Sequence, residues 1–280
     1  MKSSITNAMT VDVEDYFQVS AFEGVIERDD WQKLPLRVER NTHRLLEVFE
    51  QYQIKSTFFT LGWVAERCPT LIKAIVDAGH ELASHGYGHQ RATQMDKAQF
   101  QHDVERSKKL LEDCAGVEII GYRAPSFSVN DSNTWVYDIL VELGFKYSSS
   151  TYPIAHDLYG VPDWPRFKYT RPEGIVEIPI PTITKGDKNI GIGGGGYFRL
   201  YPYWMSQKRI NRYLSEEKQP YSFYFHPWEI DAEQPRVEGA SIKSKIRHYI
   251  NLSRMEPKII RLLEDYRWST MADVYEIKPR

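Results

Sequence analysis

The stretch Met9-Thr10-Val11-Asp12-Val13-Glu14-Asp15 decides the fold. Polar and apolar residues alternate from Met9 to Val13, the pattern of a short buried strand, and the run ends in three carboxylates. In α/β folds the carboxyl ends of strands are where active sites collect. Side chains two apart share one face of a strand, so Asp12 and Glu14 point together and Asp15 points elsewhere unless the strand has already ended.

Working outward, Val38, Leu45, Leu46, Val48 and Phe49 fall at helical spacing, and Ser56 to Leu61 is β-rich. The alternation continues with a helix ending near Ala78-Gly79, a strand over 81–84, and a charged amphipathic helix from Lys97 to Cys114 closed by Gly116. A strand at 119–122, a helix over 135–143 stopped by Gly144, and a strand at 145–148 follow. Such a rhythm predicts an α/β fold, a parallel sheet or barrel wrapped by helices. From Tyr152 to Tyr203 seven prolines and the run Gly193-Gly194-Gly195-Gly196 break it, leaving an elaborated loop region with one strand at 175–178. No Lys-Ser/Thr follows the glycines, so they do not form a P-loop. A helix over 205–214, a strand over 222–225 and a long helix over 242–263 complete the pattern.

Composition narrows the function. With 36 Lys+Arg against 38 Asp+Glu the net charge is −2, so no basic surplus points to nucleic acid or an anionic membrane face, and no apolar run is long enough for membrane insertion. Two cysteines, Cys68 and Cys114, suit free thiols in a reducing compartment, and the N-terminus lacks an apolar leader core, so a cytoplasmic protein is expected. The chain reads as a single domain over 1–280, its core at about 9–230 and a C-terminal helical extension at 231–280. Its oligomeric state is left open. The 7 Trp and 18 Tyr supply core volume and flat faces on which sugar rings stack, among them Tyr197, Tyr201, Trp204 and Trp228.

Three further motifs carry chemistry. His85-Gly86-Tyr87-Gly88-His89 sets two imidazoles on a glycine-rich turn just after a strand, a pair suited to zinc or its neighbours once one carboxylate from 12–15 joins it. Arg123, in Gly121-Tyr122-Arg123-Ala124-Pro125-Ser126-Phe127, also follows a strand and can hold a buried carboxylate ionised and oriented. His226 closes the apolar strand before Pro227; alone it reads as a satisfied core histidine.

In their order, the strand-end acids, His-x-x-x-His, Arg-x-Pro and strand-plus-His resemble the polysaccharide deacetylase family, the NodB-homology carbohydrate esterases, across about residues 9 to 230. The Asp-Val-Glu-Asp-Tyr-Phe opening and the Arg-Ala-Pro-Ser-Phe motif are similar to the branch found in bacterial exopolysaccharide gene clusters. The resemblance implies a distorted, incomplete (β/α) barrel and a hydrolase that removes acetyl groups from N-acetylated amino sugars of a polysaccharide, an oligosaccharide or its precursor. It implies that His85 and His89 bind a divalent metal, zinc first and cobalt or nickel next, together with Glu14 or Asp15. Strand-face geometry favours Glu14. It further implies Asp12 as base, Arg123 as the residue orienting it, His226 as acid, and the N–H of Ser126 as oxyanion donor.

Two departures stand out. Gly86 occupies a position usually Ser or Thr, and Tyr147-Ser148-Ser149-Ser150-Thr151 lacks the aspartate that usually partners the acid histidine, leaving Asp157 or Asp163 as substitutes. Competing readings are a metal-free amidohydrolase acting on a small cyclic amide and a catalytically silent carbohydrate-binding protein.

Overall fold

The computed structural model describes residues 4–156 and 160–278. In chain order the strands are β1 (Thr6–Val13), β2 (Thr57–Thr60), β3 (Glu81–Ser84), β4 (Gly121–Tyr122), β5 (Tyr147–Ser148), β6 (Tyr169–Thr170), β7 (Val176–Glu177), β8 (Thr182–Lys185), β9 (Lys188–Gly191), β10 (Ser222–Phe225) and β11 (Arg267–Ser269). The helices are α1 (Val38–Gln51), α2 (Gly62–Arg67), α3 (Pro69–Asp77), α4 (Lys97–Ala115), α5 (Val136–Glu142), α6 (Gly195–Leu200), α7 (Tyr203–Glu216), α8 (Ile242–Tyr249), α9 (Met255–Asp265) and α10 (Met271–Val274).

One curled sheet runs β10-β1-β2-β3-β4-β5-β7-β6, parallel throughout except for the last pair, and its two ends do not meet. This is the incomplete α/β barrel that the family resemblance implies, and it agrees with the alternation of strands and helices. Ala8, Phe58, Phe59, Leu82, Ala83, Phe223 and Phe225 are buried along the central strands, as expected where helices cover a parallel sheet. The carboxyl ends of β1, β3, β4 and β10 therefore carry Asp12–Glu14, His85, Arg123 and His226 to one edge of the sheet.

Two expectations change. The helix predicted over 242–263 divides into α8 and α9, because Asn251 takes a left-handed conformation (φ 54°) that a continuous helix cannot hold. The C-terminal segment is also more than helical. Ala8 pairs with Ser222 of β10 and with Ser269 of β11, so β11 flanks the other edge of β1, on the side where β2 pairs farther along. The loop region holds the hairpin β8–β9 and helix α6 besides strand β7 near 175–178.

Candidate active site

The end of β1 divides its three carboxylates as the two-residue period dictates. Asp12 and Glu14 face a cavity of about 210 Å³ that His85, His89, Ser126 and His226 also line. Asp15 points away from it, which corrects the option of Asp15 as a metal ligand. Its Oδ2 accepts the backbone N–H groups of Arg37 (2.6 Å) and Val38 (2.9 Å), and its Oδ1 accepts that of Tyr16 (2.8 Å), so this carboxylate ties β1 to the start of α1.

Ligand atoms of Glu14, His85 and His89 lie within 4.8 Å of one another. His85 Nδ1–H donates to the Arg123 carbonyl at 2.8 Å, which leaves the Nε2 lone pair free to coordinate, the usual arrangement behind a metal-binding histidine. Glu14 Oε2 is buried and has no hydrogen-bond partner among the described residues, although His89 Nε2 approaches it to 2.7 Å. Two acceptor-bearing atoms that meet without hydrogen-bond geometry are placed as ligands aimed at a shared third point. By this test the trio fits a divalent metal. Burial raises the Glu14 carboxyl, but the charges of His89 and His226 outweigh it and hold it down at about 2. Burial keeps His85 neutral, with its pKa near 4, as a ligand must be.

The turn between the two histidines is braced without the hydroxyl that Gly86 lacks. Asp103 on α4 accepts the N–H groups of Tyr87 (2.8 Å) and Gly88 (3.2 Å). Gly86 has φ +74°, a backbone that favours glycine, and a β-carbon there would sit 2.8 Å from Asp103 Oδ2 and push that carboxylate aside. His89 itself is left-handed (φ 50°), a strained backbone of the kind that gathers at functional sites.

Arg123 is fully buried and donates from Nη1 to Asp12 Oδ1 at 2.5 Å and to Thr10 Oγ1 at 2.9 Å. It also reaches the carbonyl and hydroxyl of Ser149 and lies 4.0 Å above the Phe59 ring. Four hydrogen bonds hold the guanidinium, one of them fixing a carboxylate oxygen of Asp12. Ser126 lines the cavity in the turn Pro125–Phe127, with a left-handed backbone at φ 55°.

His226 has a carboxylate partner that the sequence reading missed. Its Nδ1–H donates to Glu229 Oε1 at 2.8 Å, while Glu229 Oε2 accepts from Arg199 Nε at 2.6 Å. Asp163 is exposed and takes no part, and Asp157 lies outside the described residues. The missed signal is local: His-Pro-Trp-Glu has a proline at the first helical position and Glu three residues after the cap, a capping box on a single 3-10 turn. Burial lowers the His226 pKa, but the Glu14 charge and the Glu229 hydrogen bond outweigh it and raise it to about 9.

The loop region serves this pair rather than the cavity wall, which none of its described residues lines. Gly195 opens α6 directly on Glu229, where a β-carbon would collide with the carboxylate, and Gly194 (φ +99°) packs on the Tyr224 ring. The tetraglycine run thus lets backbone approach two side chains of the site. Trp228 stacks between His226 and His248, at ring-centroid separations of 5.2 Å and 4.1 Å.

A family model described as polysaccharide deacetylase matches residues 29–148, and a domain of unknown function matches 149–276. The chain carries a polysaccharide deacetylase domain. His85, His89 and Arg123 of this deacetylase domain lie in the first match, His226 and Glu229 in the second, and Asp12 and Glu14 precede both. A peptidoglycan deacetylase of Helicobacter pylori is 35% identical over 107 residues, 38% of this chain and 36% of that protein. The first curated relatives are thus spanned over only about a third of their length, 36% and 31%. A Mycobacterium smegmatis structure assigned to the polysaccharide deacetylases superposes on all of this chain and 94% of its own, with TM-score 0.64 at 18% identity. A family 4 carbohydrate esterase pseudoenzyme from Bacillus anthracis covers 98% of this chain and 66% of its own, with TM-score 0.51 at 13% identity. At such identities these structures show the fold alone. No helix among the described residues is long and apolar enough to cross a membrane.

Proposed function

We propose that this protein is a metal-dependent hydrolase that removes acetyl groups from N-acetylated amino sugars of a glycan. The observation that carries the reading is the convergence of Glu14, His85 and His89 in one cavity with Asp12 and His226. Two imidazoles and one carboxylate suit zinc best and cobalt or nickel next. When bound, the cation supplies Lewis acidity, which polarises the acetamide carbonyl and makes water acidic enough to attack at neutral pH.

The chain's own residues do the rest. Asp12, held by Arg123, accepts the proton of the attacking water. The N–H of Ser126 is the oxyanion donor, a contribution of about 3 kcal/mol for a well-placed group. His226, paired through Nδ1 with the Glu229 carboxylate, delivers a proton from its other ring nitrogen to the sugar nitrogen as the C–N bond breaks, leaving acetate and a free amine. Glu229 fixes the tautomer and the ring plane that this transfer needs. The substrate, whether exopolysaccharide, peptidoglycan or precursor, is a carbohydrate that exposes an acetamide. The free thiols Cys68 and Cys114 favour a reducing, cytoplasmic setting.

The test is acetate release from N-acetylglucosamine oligomers with added zinc or cobalt, run in parallel after chelation. Release that chelation abolishes supports the proposal. Release that survives chelation would favour a metal-free amidohydrolase. Absence of release together with absence of bound metal would favour a silent binding protein.

A further inference from the structure

Five of the nine large apolar side chains that are exposed among the described residues fall on three elements: Tyr197 and Leu200 on α6, Trp204 on the first turn of α7, and Ile242 and Ile246 on α8. Ile242 is 77% exposed and Trp204 63%, so the core explains neither. The three elements are tied together. Buried Arg199 of α6 donates from Nη1 to the carbonyls of His248 (2.7 Å) and Ile250 (2.8 Å) at the end of α8, and from Nη2 to that of Arg247 (3.2 Å). Helix α7 begins only three residues after α6 ends. Apolar side chains left in water on a braced surface mark a place that something else covers.

Charge says what covers it. On α8, Ile242 and Ile246 lie one helical turn apart on the same face, with Lys243 and Arg247 in the strip beside them. Lys243, Lys245 and Arg247 form no ion pair with another described residue. Over 195–209 and 236–247 the chain has seven Lys and Arg against one acid, Glu238. Even after Glu229 is set against Arg199, the surplus is five, in a protein whose net charge is −2. A second copy of this face would bring like charge against like. The headgroup region of a bilayer satisfies all three kinds of side chain at once. It takes aliphatic groups at the acyl boundary, holds Trp and Tyr at the interface, and answers Lys and Arg with lipid phosphates.

We propose that α6, the start of α7 and α8 form a docking face for a bilayer surface that contains anionic lipid. Binding is peripheral, with Ile242, Ile246 and Trp204 entering the interface and Lys243 and Arg247 meeting phosphates. Arg247 and His248 also line the cavity that holds Glu14, so docking sets the mouth of that cavity beside the headgroups. This inference goes beyond the deacetylase reading and stands without it.

The experiment sediments the whole protein with vesicles of phosphatidylcholine alone and of phosphatidylcholine with about 30 mol% phosphatidylglycerol. Binding to the anionic vesicles is expected to be tighter by about tenfold or more, and to be largely lost at about 1 M salt, where charges are screened within roughly 3 Å. Trp204 is the only exposed residue among the seven tryptophans, so fluorescence should shift to the blue on the anionic vesicles, and Trp204→Phe should remove most of that shift. Ile242→Ser combined with Ile246→Ser changes two exposed positions and should weaken binding about tenfold or more. Lys243→Glu should weaken it by about tenfold, since each charge near the surface counts for roughly fivefold. Equal binding to both vesicles, or binding to neither, overturns the docking face. So does affinity that neither variant changes, with melting temperatures at the wild-type value. A dimer in sedimentation equilibrium that Ile242→Ser with Ile246→Ser dissolves would give the face to a second copy and overturn it as well. None of these readouts uses turnover, so failure of the deacetylase reading would be seen separately, in the acetate assay.

Discussion

The two sides of the cavity are built by different means. On the metal-ligand side, Asp12, Glu14 and His85 sit at the ends of β1 and β3, parallel strands on either side of β2, where strand period and register aim them. On the acid side, His226 also ends a strand, but its partner comes from a single 3-10 turn, that partner's counter-ion comes from α6, and α6 approaches only because residues 194 and 195 are glycines. Regular secondary structure places the first group, and close packing of irregular backbone places the second. Substitutions should accordingly fail in different ways on the two sides.

The largest effect is expected from His85→Ala or His89→Ala. Loss of one ligand should remove stoichiometric metal and lower turnover by about 10³-fold or more, the several kcal/mol that Lewis acidity supplies. Metal analysis alongside acetate release tests this, and full metal content in either variant would break the comparison on its metal side. Asp12→Asn should keep metal while turnover falls about 10²–10⁴-fold. Undiminished turnover would move the base elsewhere.

Arg123→Met separates structure from chemistry. It strands the buried Asp12 charge and should destabilise the fold by about 3–5 kcal/mol, readable as a lower denaturant midpoint. On the acid side, Glu229→Gln keeps shape while it loses charge. It should lower kcat about 10–100-fold, with KM and metal content near wild type, because Glu229 acts through His226. A change in KM alone would reduce Glu229 to a packing role.

The smallest effect concerns pH. Burial lowers the pKa of His80 to about 4 and of His248 to about 3, far from the metal ligands in one case and behind Trp228 in the other. A histidine with a depressed folded pKa takes up its proton first in the unfolded chain. The contribution of these two histidines to stability should therefore be constant above about pH 6.5 and decline below it, by about 1.4 kcal/mol per pH unit for each group. Urea midpoints at pH 7.5, 6 and 5 read the slope, and His80→Leu should remove the His80 share of it, about 1.4 kcal/mol per pH unit between about pH 6.5 and 5.

Legibility followed the same division. The strands at 81–84 and 222–225, the helix closed by left-handed Gly116, and the shared face of Asp12 and Glu14 were readable, because each follows from a local period or cap. The Glu229 partner was readable in principle from the capping box, but an expectation of aspartate near residue 150 drew attention elsewhere. Arg199 and β11 were not readable. Arg199 meets Glu229 across 30 positions, and Asn7 meets Arg267 across 260, separations over which no pattern in the sequence speaks.

That last separation bears on the order of assembly. The strand that presents Asp12 and Glu14 gains β10 and β11 only from chain more than two hundred residues downstream; Thr10 Oγ1 bonds to the Phe223 carbonyl across 213 positions. During synthesis the histidine turn and its α4 brace emerge early, while the carboxylates wait on an incompletely paired strand. Closure of these long loops makes the full pairing of β1, and with it the arrival of His226 at the cavity, a late and slow event on the folding route.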